Sequence, residues 1–245
     1  MDKSTVVLHD QFLATKFVIP ASSQALIPRP RLLKLLTLSL AYLLTLVSAP
    51  AGFGKTTLLS NWVQSLPPAH PRIAWVSLDE GDNEPALFWQ CVLTALDSQQ
   101  PGLCTQLITS LHTPQAPPLR CVLQTLINRL AAQAESFLLV LDGYHLVTEQ
   151  AIHTAFSYLL EHLPPQLHLL LATRADPALP LSQLRARGHL FEVRTDQLRY
   201  HPDEVAAFLQ QTVDIQLSQE KGEEVAARTE GWLADLQLFA FSLQG

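Results

Sequence analysis

Along the chain, short uncharged hydrophobic runs alternate with stretches whose apolar positions recur at helical spacing. The runs at 43–48, 73–78, 137–141, 167–173 and 190–193 contain little or no charge and read as strands buried on both faces. Between them the pattern predicts helices at 32–40, 55–66, 85–96, 119–134, 151–163 and 181–187. In the third of these, Pro85 sits in the first turn ahead of the stripe Leu87, Phe88, Cys91, Val92 and Leu96. Pro67-Pro68 and Pro164-Pro165 end two of the helices, and Gly188 is a plausible stop for the last. Residues 100–118 are punctuated by Pro101, Pro114, Pro117 and Pro118, so short helix and loop are expected there. Strand and helix in strict alternation argue for an α/β fold, a largely parallel five-stranded sheet with helices on both faces.

From Tyr200 onward the rhythm changes to helices alone, at 202–211, 223–228 and 232–241. Ser218 resembles a helix cap, but Lys221 three residues on excludes a capping box. Residues 11–31 carry no such pattern, and Pro28 and Pro30 discourage helix before Leu32. The expected organisation is an N-terminal arm over 1–31, an α/β domain over 32–198 and the start of a helical domain over 199–245.

The most informative segment is Ala49-Pro50-Ala51-Gly52-Phe53-Gly54-Lys55-Thr56-Thr57, which follows the first strand directly. A strand entering a glycine-rich turn, with a helix opening at the lysine, is the setting of a P-loop, in which main-chain N–H groups wrap phosphate oxygens. Ala51, Gly52, Phe53, Gly54, Lys55, Thr56 and Thr57 are the expected phosphate-binding residues. Lys55 is expected to reach the β- and γ-phosphates, and the Thr56 hydroxyl to ligate a bridging Mg2+. The bland alternative is an ordinary strand-to-helix turn with Lys55 merely exposed.

Asp142 ends the uncharged strand at 137–141, where its carboxylate can hold the metal beside Thr56. Gly143 follows it, in the place where many ATPases carry a second acid, so the water-activating group is open. Asp79 and Glu80 follow the second strand and can approach from the same sheet edge, since ligands gather at the carboxyl ends of parallel strands; the competing reading is a polar loop and helix cap. Arg174 leaves the fourth strand and either touches the γ-phosphate or pairs with Asp176. Arg185 and Arg187 either face a neighbour's nucleotide or form a solvated helix face. Trp62, Trp75 and Trp89 fall in packing patterns, and His145, His153, His162 and His168 lack metal-ligand spacing.

Composition narrows the partners. The 245 residues carry 16 Lys plus Arg against 22 Asp plus Glu, a formal charge of -6, so no global basic face is offered to nucleic acid. Cys91, Cys104 and Cys121 are an odd set without CxxC spacing, as expected of buried thiols in a reducing, cytoplasmic setting. The start of the chain lacks a leader-like apolar core. The charge-free stretch 35–49 is short for a bilayer span and divides better into a helix end and a strand, so no membrane association is expected.

Taken in order, Leu13-Ala14-Thr15-Lys16-Phe17, Arg29-Pro30-Arg31-Leu32, the phosphate loop, Trp75-Val76-Ser77-Leu78-Asp79-Glu80-Gly81-Asp82-Asn83, Leu139-Val140-Leu141-Asp142, Leu171-Ala172-Thr173-Arg174-Ala175-Asp176-Pro177, Leu184-Arg185-Ala186-Arg187-Gly188 and Thr229-Glu230-Gly231-Trp232 resemble the nucleotide-binding region of the large MalT-like (LuxR-family) transcriptional activators, which are STAND-class P-loop ATPases. These segments span nearly the whole chain. The resemblance implies a regulatory switch that binds ATP or ADP with Mg2+, hydrolyses slowly, and answers an inducer and DNA through domains that are not part of these residues. It implies self-association of the intact protein and makes this chain a fragment or a short relative. It also implies that Ala49 is usual at its position, that Arg29 lies by the adenine or ribose, and that Asp142 and Arg174 hold the metal-binding and phosphate-sensing places. Gly143 departs from the family's usual Asp. The alternatives are a nucleotide-binding adaptor without turnover, or a small-molecule phosphotransferase.

Overall fold

The computed structural model describes residues 12–21, 27, 29–67, 70–111, 113, 115–216 and 218–243. Residues 1–11 of the expected arm, with Pro28, Pro68, Pro114 and Gly245, lie outside them. The five strands are β1 (Leu44–Ser48), β2 (Arg72–Ser77), β3 (Phe137–Asp142), β4 (Leu167–Thr173) and β5 (Leu190–Arg194). All four pairings are parallel, in the order β2-β3-β4-β1-β5. The helices are α1 (Pro30–Ser39), α2 (Lys55–Ser65), α3 (Pro85–Gln99), α4 (Thr105–Leu111), α5 (Leu119–Ala131), α6 (Gln150–Glu161), α7 (Leu181–Ala186), α8 (Thr195–Leu198), α9 (Pro202–Val213), α10 (Gln219–Arg228) and α11 (Leu233–Ser242).

The hydrophobic runs are continuous because the sheet is covered twice. Leu139 and Leu141 point into a core shared with α3, α5 and α6, while Leu138 and Val140 point into a second core with α1 and α2. A third cluster, with Tyr200, Val205, Phe208, Leu209, Leu233 and Leu236, unites α9 and α11 beyond the sheet, and Ile27 belongs to it. At about 25 cal/mol per Å2 of apolar surface, three such clusters supply most of the drive to fold.

The first helix begins two residues before expectation. Pro30 occupies its opening position, where the missing N–H costs nothing and the fixed φ favours helix entry, so this proline starts α1. The arm also holds more order than expected, since Ala14–Phe17 forms a 3-10 turn. The apolar stretch at 35–49 divides between the end of α1, a turn and β1. No helix among the described residues is long and apolar enough to cross a membrane.

Parallel strands bring their carboxyl ends to one edge. Because β4 lies between β1 and β3, the loop after β1, Asp142 at the end of β3 and Arg174 after β4 meet there. His168, farther back on β4, is 7% exposed; its Nδ1 donates to the Tyr42 carbonyl, and its Nε2 lies 2.9 Å from the Thr45 hydroxyl. Burial pulls its pKa down to about 4.

Candidate functional site

The loop between β1 and α2 owes its shape to two glycines with left-handed backbones, Gly52 at φ 79° and Gly54 at φ 70°. A Cβ on Gly52 would lie 2.6 Å from the Trp232 indole nitrogen, and one on Gly54 would lie 2.7 Å from a Leu233 methyl carbon. Among the described residues no acceptor takes the N–H groups of Gly52, Phe53, Gly54, Lys55 or Thr56. Such a row of unspent donors at the start of a helix favours an anion.

A cavity of about 530 Å3 opens beside this loop. Ala51, Gly52, Gly54, Lys55, Thr56 and Thr57 line one side, Ser77, Asp142, His145 and Arg174 come from the strand ends, and Leu233 and Gln237 close it from α11. Phe53 is absent from the lining: it is buried, with its ring 6.3 Å from that of Trp232.

Lys55 turns back on its own loop, where its ammonium donates to the carbonyls of Ala49 at 2.6 Å and Pro50 at 2.9 Å. Burial and the neighbouring Arg174 hold its pKa below the ordinary lysine value, against the opposing pull of Asp142. The Thr56 hydroxyl donates to the Asp142 carboxylate at 2.7 Å, across 86 residues of sequence. Burial raises the Asp142 pKa, although Thr56 and Lys55 draw it the other way. These two hard oxygens suit Mg2+, which takes few protein ligands and completes its shell with phosphate and water. The described residues contain no cluster of three or more His, Cys, Asp or Glu that could hold a metal ion.

Arg174 is exposed and lines the cavity with no ion-pair partner among the described residues. The alternative partner, Asp176, is taken by Arg194 and approached by Arg185 at 3.8 Å. Arg185 also grips Glu192 at 2.7 Å; together with Arg194 it draws that carboxyl down to about 2. Arg185 is therefore bound within its own chain, and Arg187 borders a separate cavity between α6 and α7.

Three expected site residues stand elsewhere. Asp79 and Glu80 do not line the cavity. The Asp79 carboxylate accepts from the Gly81 N–H at 2.8 Å and meets Lys16 at 2.9 Å, while Glu80 is exposed in a 3-10 turn. Asp79 thus caps this turn and pairs with Lys16 of the arm, and Glu80 lies on its exposed side. Arg29 is also outside the lining and only 6% exposed. Its guanidinium donates to the carbonyls of Leu198 and Arg199, pairs with Glu204 at 3.1 Å and stacks 4.0 Å from the Tyr200 ring. These contacts join α1 to the helices beyond the sheet.

One cavity residue escaped the sequence reading. His145 lines the site, and both its ring nitrogens are buried with no hydrogen-bond partner among the described residues. Burial, Arg174 and Lys55 lower its pKa, so the neutral ring keeps a lone pair free. The available signal was its place three residues after Asp142; a search for metal-ligand spacing passes over it.

A sequence profile described as the NACHT domain matches residues 43–195, from the start of β1 through β5. The chain belongs to the NACHT domain family. As a P-loop NTPase family, it implies nucleotide binding by this domain. The chain is also similar to the HTH-type transcriptional regulator MalT of Serratia proteamaculans (strain 568), 33% identical over 230 residues that cover 94% of this chain and 25% of the relative. MalT of Yersinia enterocolitica matches with the same identity and coverage. The chain thus spans about a quarter of the length of these curated relatives. Among solved structures, the STAND protein with a tetratricopeptide repeat sensor from Pyrococcus horikoshii superposes with a TM-score of 0.64 at 13% identity, covering 93% of this chain and 32% of that one. Cdc6p from Pyrobaculum aerophilum superposes with a TM-score of 0.54 at 14% identity, covering 82% and 53%. These neighbours show the fold, a P-loop NTPase sheet followed by helices, and the matches bear out the MalT-like, STAND-type resemblance of the sequence.

Proposed function

We propose that this NACHT domain is the nucleotide-operated switch of a MalT-like transcriptional activator, binding ATP or ADP with Mg2+ and hydrolysing ATP slowly. The observation that carries the reading is the convergence, in one cavity, of Lys55, the Thr56–Asp142 pair, and loop N–H groups and an Arg174 guanidinium that have no partner among the described residues. In this reading the N–H groups of Ala51 through Thr57 hold phosphate oxygens, and Lys55 exchanges its loop carbonyls for the β- and γ-phosphates. Thr56 and Asp142 would hold Mg2+, which would supply positive charge against the phosphates. Arg174 contacts the terminal phosphate, and the neutral His145 ring orients water. The preference for adenine rests on the MalT similarity. So do the roles of inducer, DNA and self-association, which belong to parts of a longer protein. The corresponding division is an arm over 1–31, the nucleotide domain over 32–198 and a helical region over 199–245.

A binding adaptor without turnover is the second reading, and Gly143 favours it. At φ 88°, with a Cβ placed 3.0 Å from the Leu78 carbonyl, this backbone selects glycine and removes the second acid. Asp142 is the only carboxylate among the described lining residues, and it is the metal candidate, which leaves the neutral His145 ring as the one lining group with a free lone pair for a proton.

The test is calorimetric titration of ATP, ADP and GTP with and without Mg2+, followed by single-turnover hydrolysis. Lys55→Ala is expected to weaken ATP binding about 100-fold, the roughly 3 kcal/mol lost when one side of a desolvated charge pair is removed. Asp142→Ala is expected to abolish the Mg2+ dependence. Equal ATP affinity in all three proteins would remove the reading, and rapid multiple turnover with a small-molecule acceptor would point to phosphotransfer.

A further inference from the structure

The corner between α10 and α11 is built for a close approach. Glu230 at φ 48° and Gly231 at φ 64° are consecutive left-handed residues, and they turn the chain so that Trp232 meets the phosphate loop. The Trp232 indole N–H donates to the Ala51 carbonyl at 3.0 Å, and the Ala234 N–H donates to the Gly52 carbonyl at 3.2 Å. In a planar trans peptide the C=O and the following N–H point in opposite directions. Holding the carbonyls of Ala51 and Gly52 on the α11 side therefore turns the N–H groups of Gly52 and Phe53 away from that helix. A hydrogen bond accepted at one end of a peptide unit also strengthens the donor at its other end.

We propose that Trp232 and the first turn of α11 are positioning elements of the phosphate site, setting the two peptide planes of the loop so that their N–H groups face the anion. The inference rests on the nucleotide-binding reading above and adds that the helical region is required for full affinity. By linkage, nucleotide on the loop tightens the attachment of α11 by the same factor. Trp232 acts here through main chain, not by touching the ligand.

The experiment titrates the unaltered chain, Trp232→Phe and Lys55→Ala with ADP and with Mg2+-ATP by calorimetry, and follows their thermal melting without nucleotide. Phe keeps an aromatic ring beside Phe53 and deletes the indole N–H together with the five-membered part of the ring. Trp232→Phe is expected to weaken ADP and ATP by the same factor, about tenfold, the loss of one hydrogen bond, while the nucleotide-free melting point stays within about 2 °C. In the unaltered chain, amide exchange at Ala234 is expected to slow when ADP binds, a readout that holds even if the variant fails to fold. Unchanged affinity in Trp232→Phe beside a weakened Lys55→Ala would overturn this inference alone, as would exchange at Ala234 indifferent to ADP. If Lys55→Ala also binds normally, the phosphate-loop reading itself is at fault.

Discussion

The loop at 49–57 and the loop at 79–83 both leave buried parallel strands at the same edge of the sheet, and both carry glycine and polar groups. In the second, the side chains of Asp79, Asp82 and Asn83 are all taken by protein partners. Asp79 takes the Gly81 N–H, Asp82 takes the Asp79 N–H at 2.8 Å and Lys16 at 2.5 Å, and Asn83 ties Thr148 and Glu149 through three hydrogen bonds of 2.7 to 2.9 Å. In the first, five successive N–H groups lack an acceptor among the described residues, and the lysine folds back on the carbonyls of its own loop. A polar loop whose hydrogen bonds close on themselves stabilises the fold; one left open towards a cavity is prepared for a ligand.

The contrast predicts that substitutions in the two loops fail in different assays. The largest stability effect belongs to Asp82→Ala. Asp82 is 1% exposed, and its removal strips the partly buried Lys16 of its shorter partner, so about 3 kcal/mol of unfolding free energy should be lost in urea titration. ATP affinity of the folded fraction should be unchanged; a hundredfold loss there would erase the distinction between the loops.

Acid tests the same sheet away from both loops. The folded pKa of His168 is depressed from 6.5 to about 4, so the unfolded chain binds the additional proton. Stability is present above pH 6.5 and is lost as pH falls through that value towards 4. From pH 7 to pH 5 the loss should be about 2 kcal/mol in urea titrations without nucleotide, and His168→Gln should flatten that dependence. An equal slope in the variant would reassign the acid sensitivity to another group. The smallest effect belongs to Glu80→Gln, an exposed position outside the cavity. Stability should change by less than about 0.5 kcal/mol and single-turnover hydrolysis not at all; a slowed turnover would return Glu80 to the site.

The parts of the site that depend on one strand and the turn following it were legible in sequence. The phosphate loop, Asp142 after an uncharged run, and Arg174 after the next strand are local patterns, and the parallel sheet brings them together. What depends on which donor meets which acceptor was not legible. Arg29 and Asp79 have the chemistry of ligand-binding residues, but Glu204, Lys16 and main-chain groups from distant segments occupy them. The roles of His145 and Trp232 could not be read from their own segments, because they arise from a cavity wall and from a contact across 181 residues. Pro30 was misread for a local reason: the same ring that breaks a helix interior starts a helix when it stands first.

At Gly231 the incoming chain of α11 runs against the main chain of Tyr200, with only 2.7 Å and 2.8 Å between a would-be methyl group and the carbonyl oxygen and nitrogen there. Tyr200 N–H donates to the Gly231 carbonyl at 2.9 Å, so the two crossings into the helical region are fastened at one point with no side chain between them. The placement of the last helix against the sheet is set at that point. Even a single added methyl group would force the two crossings apart and shift where the helix meets the phosphate loop.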